Sequence, residues 1–193
     1  MLLLAGTCHA QFDPYGYVGA GIGIYDHAVK IPNQGVAFTI SDRTTASKLF
    51  GGWRINENMA VEASYGKSGE LRWSDSISVP NTTGVFGPDS PVTLDSVVRT
   101  EWTTTTISLM GHLERFFGGF GWYSLDGNFT FNTICSCGPG DFDVADETSS
   151  TDVFFTIGAE WNFARWAIRG QYELYDTEGD SQDVIYVGAS FRF

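Results

Sequence analysis

The sequence predicts an all-β fold, an eight-stranded antiparallel up-and-down transmembrane β-barrel. Three observations predict it. Segment after segment alternates apolar and polar residues with a period of two. All six prolines (Pro14, Pro32, Pro80, Pro88, Pro91, Pro139) fall outside the interiors of those segments, as ladder hydrogen bonding demands. The connections are long after the first, third and fifth segments, moderate after the seventh, and short after the second, fourth and sixth. Short turns on one side and long loops on the other are the asymmetry of an outer-membrane barrel.

The first strand, 15–27, sets Val18, Ala20, Ile22 and Ile24 against Tyr17, Gly19, Gly21, Gly23 and Tyr25. Its Gly-x-Gly-x-Gly invites a phosphate-turn reading, but that motif needs a following helix, and strand alternation continues here. Small residues facing a crowded interior account for the glycines. The second strand, 43–55, puts Leu49, Gly51, Trp53 and Ile55 outward and Lys48, Phe50, Gly52 and Arg54 inward. Asn56-Glu57-Asn58 is a tight turn. The third, 59–70, places Met59, Val61, Ala63 and Tyr65 against Glu62 and Ser64, and a loop is expected over 71–99.

The fourth strand, 100–114, opposes Thr103, Thr105, Ile107, Leu109, Gly111 and Leu113 to Thr104, Thr106, Ser108, Met110, His112 and Glu114. An aromatic turn is expected over 115–120. In the fifth, 121–133, Tyr123, Leu125, Phe129 and Phe131 are expected outward, against Ser124, Asp126, Asn128, Thr130 and Asn132. A second long loop is expected over 134–151. The sixth, 152–163, sets Val153, Phe155, Ile157, Ala159, Trp161 and Phe163 against Thr156, Gly158, Glu160 and Asn162. After Ala164-Arg165 the seventh, 166–176, gives Trp166, Ile168, Gly170, Tyr172 and Leu174 against Arg169, Gln171 and Glu173. The eighth, 184–193, carries Ile185, Val187, Ala189, Phe191 and Phe193 on one face, with Arg192 on the other.

Length and charge bound the function. The 193 residues make one domain, and 11 Lys+Arg against 23 Asp+Glu give a net charge of −12, which argues against nucleic acid. No window reaches the roughly 18 apolar residues of a helical span. Residues 1–10 read as a truncated signal peptide ending at Ala10, leaving 11–193 as the barrel domain. Thr7 between Gly6 and Cys8 breaks the lipoprotein pattern. Cys135 and Cys137 form a loop pair; a bridge between them would close a small strained ring, and two thiols without a nearby His are too few for a metal.

Alternation alone does not say which face is outside, and a soluble lipocalin-like barrel would turn the apolar set inward. The polar set decides. Its basic members are Lys48, Arg54, Arg169 and Arg192, and its acidic members are Glu62, Glu114, Asp126, Glu160 and Glu173. Near-balance of charge within so acidic a chain is what enclosure at membrane depth demands. With His112 these residues form the expected lumen network, a hydrogen-bonded plug. A narrow gated ion path is the sharper alternative, with Arg54, Glu62, Glu114, Arg169 and Arg192 as gate candidates. Trp53, Trp122, Trp161 and Trp166, all within a few residues of short turns, are the expected aromatic girdle.

Certain stretches resemble the outer-membrane barrels typified by the OmpA-like transmembrane domain, including the small opacity-type porins. They are Tyr17-Val18-Gly19-Ala20-Gly21-Ile22-Gly23, Gly51-Gly52-Trp53, Asn56-Glu57-Asn58-Met59-Ala60-Val61-Glu62 and Val187-Gly188-Ala189-Ser190-Phe191-Arg192-Phe193. The resemblance covers the mature chain. It implies a bacterial outer-membrane location and a terminal strand, with Phe191 and Phe193, read by the barrel-assembly machinery. It also implies that the periplasmic peptidoglycan-binding domain of longer relatives is absent. Membrane lipids and lipopolysaccharide are the expected partners, with host or surface ligands through the loops and a monomeric state.

Two chemistries are weighed against this structural role. Ser108, His112 and Glu114 are the residue types of a hydrolase triad. On an extended strand, however, Ser108 and His112 stand about 13 Å apart, and they would face the lumen rather than a lipid substrate. No enzyme is therefore expected. Acidic residues Asp141, Asp143, Asp146, Glu147 and Asp152, then Asp176, Glu178, Asp180 and Asp183, crowd the last two long loops. They read as a solvated rim; weak divalent-cation binding is the alternative, and the spacing does not fit an EF-hand. No cofactor is expected.

Overall fold

In the computed structural model the described residues are 13–33, 36–79, 92–135, 141–177 and 180–193. They form nine strands: β1 (Tyr15–Asn33), β2 (Val36–Asn56), β3 (Met59–Ser68), β4 (Leu71–Val79), β5 (Val92–Leu113), β6 (Phe116–Cys135), β7 (Asp141–Phe163), β8 (Trp166–Thr177) and β9 (Asp180–Arg192). All pairings are antiparallel, and the order β3-β2-β1-β9-β8-β7-β6-β5 closes through β3–β5. Eight strands thus make the ring. The closing seam runs from Tyr17↔Arg192 to Asp26↔Asp183.

β4 takes no place in that ring. β5 pairs first with β3, up to Lys67↔Thr103, and then with β4 from Leu71↔Thr100. Ser68, Gly69 and Glu70 therefore oppose only Glu101 and Trp102, so β4 continues the line of β3 beyond a bulge. Trp102 N–H donates to Ser68 Oγ (2.9 Å), and Gly69 N–H turns to Thr45 O on β2 (2.7 Å).

The outward face repeats on every ring strand. Val18, Ile22 and Ile24 on β1, Phe116, Phe120 and Trp122 on β6, and Val153, Phe155 and Ile157 on β7 are exposed; so are Ile168 on β8 and Ile185 and Val187 on β9. Toward the long-loop end these runs stop at polar residues: Asp26, Ser47, Lys67, Ser124, Thr151, Asp176 and Asp183. An apolar band about 25 Å tall between polar margins matches a bilayer core. Water would not tolerate it on a monomer.

Several sequence expectations need correction. The loops expected over 71–99 and 134–151 are in part strand, because β4, β5, β6 and β7 carry their ladders well above the apolar band. β1 likewise runs past Pro32, paired with Ala37 near the hairpin tip. The turn expected over 115–120 is only Glu114-Arg115, where Glu114 has φ 53°. Ala164 has the same φ in the Ala164-Arg165 turn. Left-handed backbone there matches the right-handed twist of the flanking strands.

The shorter turn starts β6 at Phe116, and this sets its faces. Phe116, Phe120 and Trp122 point outward, while Tyr123 and Leu125 are buried inside. The expected outward set of that strand is therefore inverted over its membrane portion.

Candidate functional site

The lumen is built in layers. At its middle β2, β3 and β8 each aim a charged side chain at the axis. Arg169 Nη1 donates to Glu62 Oε2 at 2.6 Å, and Lys48 Nζ donates to Glu173 Oε1 at 2.5 Å. Lys48 also lies 3.9 Å from Glu62 Oε1, which joins the two pairs into one network. All four side chains are at most 4 % exposed. Two cations and two anions cancel, which is the condition for keeping charges at this depth.

Neutral groups complete the layer. Tyr17 Oη donates to Glu62 (2.9 Å), while Gln171 Nε2 and Tyr175 Oη both donate to Glu173 (2.7 Å each). The Arg169 guanidinium lies between the rings of Phe50 and Phe117, 4.5 Å from each centroid. Such stacking suits a planar, weakly hydrated cation.

Above this network an aromatic layer closes the lumen. Tyr25, Tyr123, Leu125, Phe154, Tyr175, Val184 and Tyr186 form one buried cluster with Ala46. Tyr175 stacks on Phe154 and meets Tyr123 edge-on, with centroids 5.5 and 5.1 Å apart. Buried hydroxyls still need partners. Tyr25 bonds Gln182, and Tyr123 Oη donates to Asp176 O at 2.6 Å.

The turn end is more open. Arg54 Nη2 donates to Glu57 O (2.6 Å); Arg192 bonds Asn162 and lies over the Tyr15 ring. His112 packs on Phe117, with centroids 5.7 Å apart.

The expected lumen set is thus divided. Lys48, Glu62, Arg169 and Glu173 come together. Arg54, His112, Glu160 and Arg192 face inward nearer the turns and are only partly buried. Glu114 is not in the lumen: it is exposed in the two-residue turn. Asp126 is not in the lumen either. It shares the outward face of β6 with Trp122, and it is exposed. Tyr17, Phe50, Phe117, Gln171 and Tyr175 were the network members outside the expected charge set; inward aromatics beside inward charges are the sequence signal for them.

Trp53, Trp161 and Trp166 are exposed on the outer wall near the turn end. Trp122 is also outward but leaves that group, because the shorter turn carries it to the last apolar position of β6, next to Ser124. Phe116, Phe163 and Phe193 occupy the turn margin beside the remaining three. Phe191 packs edge-on against Trp166 (5.1 Å), and Phe193 N–H donates to Gly16 O (3.1 Å).

The triad types are dispersed. Ser108 Oγ donates to Glu62 O at 3.4 Å, His112 lies on Phe117, and Glu114 is in the turn. Among the described residues no group of His, Cys, Asp or Glu is arranged to hold a metal. Residues 1–10, Cys137 and Glu178 lie outside the described residues.

The lipid-facing band and the enclosed, charge-balanced lumen agree with the sequence comparison: the model of the outer membrane protein beta-barrel domain matches residues 1–193. The chain belongs to this family. It is an integral barrel of the bacterial outer membrane, with its short turns on the periplasmic side and its long hairpins outside. No curated protein matches it in sequence. Among solved structures it is similar to Ail, the attachment invasion locus protein of Yersinia pestis, at 13 % identity and TM-score 0.50, covering 92 % of this chain and 99 % of that one. It is also similar to the outer membrane protein OprG of Pseudomonas aeruginosa, at 12 % identity and TM-score 0.50, covering 95 % and 97 %. At these identities the likeness concerns the fold.

Proposed function

We propose that the barrel is a surface-contact protein, with its lumen a structural plug and its extracellular hairpins the binding part. One observation carries the reading. The lumen is filled by a neutral, fully buried ion network under an aromatic layer, while β1, β2, β4, β5, β6 and β7 continue beyond the apolar band into water. Binding residues placed on a rigid scaffold by exposed segments are the common arrangement. The name of Ail, for attachment and invasion, is in keeping with this role. Host or surface molecules are the proposed ligands, and lipopolysaccharide and the barrel-assembly machinery the proposed envelope partners of a monomer. Trp53, Trp161 and Trp166 anchor the turn margin at the headgroups. The chain is not proposed to be an enzyme, since Ser108, His112 and Glu114 serve separate contacts.

Binding of cells carrying the intact protein to host-cell or matrix preparations tests the reading. Shortening the β1–β2 and β6–β7 hairpins should abolish binding while the barrel stays folded and heat-modifiable. Undiminished binding would contradict it.

A narrow pore is the second reading. It is favoured by Lys48 lying within reach of both Glu173 and Glu62, so that one cation can exchange partners. Planar-bilayer recordings separate the two: large, stable channels would displace the plug.

A further inference from the structure

On the outer wall a groove of about 600 Å³ runs across β9, β1, β2 and β3 in the extracellular half of the apolar band. Ile22, Ile24, Ile185 and Val187 line it on the β1/β9 side. Thr45 and Ser47, the small residues of β2, lie between them and Lys67 of β3. The groove ends at basic side chains. Lys67 lines it, and Arg43 follows Thr45 by one outward step on β2.

Position and charge say what fits there. Among the residues whose side chains are described, the outward Lys and Arg of the extracellular margin are Arg43, Lys67, Arg72 and Arg99, all on β2 to β5, and β6 to β9 carry none. In a chain of net charge −12 this segregation gives one wall a character the others lack. Arg43 pairs with Asp26 at 2.8 Å and Lys67 with Glu101 at 3.1 Å, but both pairs are exposed, with Arg43 76 % and Lys67 52 % accessible. Exposed pairs hold weakly and exchange readily for a multivalent anion. A phosphate at the leaflet surface meets such basic groups, and an acyl chain below it meets the isoleucines.

We propose that this wall binds one phosphorylated acyl lipid of the outer leaflet, its chain in the groove and its phosphate on Lys67 and Arg43. The site deepens the lipopolysaccharide contact proposed above, but it lies away from the hairpins that carry surface binding, so either can fail alone. The hydroxyls of Thr45 and Ser47 are placed for the oxygens between phosphate and chain. Ser47 Oγ otherwise donates to Lys67 O at a long 3.4 Å.

Native mass spectrometry of the full barrel, released from micelles containing lipid A, tests the site. Wild type should retain one lipid A. The R43Q/K67Q double variant should retain at least tenfold less, and so should Ser47→Trp, which fills the groove without changing charge. Arg99→Gln, equally basic and outward but away from the groove, should retain within twofold of wild type. Dephosphorylated lipid A should be retained at least tenfold less, and excess inorganic phosphate should not displace lipid A. Each variant is first shown to be folded by heat-modifiability. Equal retention by wild type and R43Q/K67Q, or an equal loss in Arg99→Gln, would overturn the site in favour of annular or diffuse electrostatic contact. A single lipid displaced by inorganic phosphate would overturn it too.

Discussion

Arg169 and Glu62 meet at 2.6 Å across the lumen, from strands on opposite sides of the closed ring and 107 residues apart in the chain. Neither is more than 4 % exposed. Glu62→Gln removes the shared anion and leaves Arg169 and Lys48 with one buried carboxylate between them. The expected cost is about 3–5 kcal/mol, the usual penalty for breaking a buried pair. Urea unfolding in micelles should show it as a lower midpoint. The double variant E62Q/R169Q should recover part of the loss, because no unpaired charge remains. A Glu62→Gln midpoint equal to wild type would refute the network's structural role.

Two glycines give opposite expectations. A Cβ at Gly121 on β6 would lie 2.0 Å from Ile107 O and 2.7 Å from Ser108 Cα, both backbone atoms of β5. Neither can move without parting the strands. Gly121→Ala should therefore destabilise by about 1–3 kcal/mol, as overpacking does. A Cβ at Gly170 meets nothing within 4 Å. Gly170→Ala should be neutral or stabilising by about 0.5 kcal/mol, through lower chain entropy when unfolded. Thermal unfolding of the pair checks both.

Asp183 stands opposite Asp26 at the extracellular end of the closing seam, above the apolar band. Partial burial, and then the Asp26 carboxylate, hold its carboxyl above the ordinary 3.8, while Arg43 opposes the shift. Between that raised value and 3.8 the folded chain binds more protons than the unfolded chain. Stability from this group therefore rises as pH falls through the window, and the gain is complete below 3.8. NMR titration of the Asp183 carboxyl should report an apparent value above 3.8, higher again in Arg43→Gln. A wild-type value at or below 3.8 would count against the placement.

Phe193 fastens the end of β9 to the start of β1. Its N–H bonds Gly16 O, and its ring covers Gly16 so closely that a Cβ there would lie 2.6 Å from it. Deleting Phe193 should reduce the folded protein in outer membranes several-fold, while refolding in micelles is affected less. Normal membrane levels would exclude Phe193 as an assembly signal.

The sequence by itself determined the fold class, the eight-strand count of the ring and most faces. Val18, Ile22 and Ile24 against Tyr17 and Tyr25 are legible because a strand's period of two is set by local backbone geometry. The inward placement of Lys48, Glu62, Arg169 and Glu173 follows from the same alternation. Only the tertiary structure decided which of them meet. Lys48 and Glu173 are 125 residues apart, and their contact depends on ladder register around a closed ring. It likewise decided the length of the Glu114-Arg115 turn. Since partners across a ladder share a face, the register that turn sets, with Ile107 opposite Trp122 and Thr106 opposite Tyr123, put Trp122 and Asp126 outward and Tyr123 inward. The extent of the extracellular ladders was hidden for a related reason: outside the bilayer no lipid face imposes alternation, and partner strands alone hold the polar segments extended.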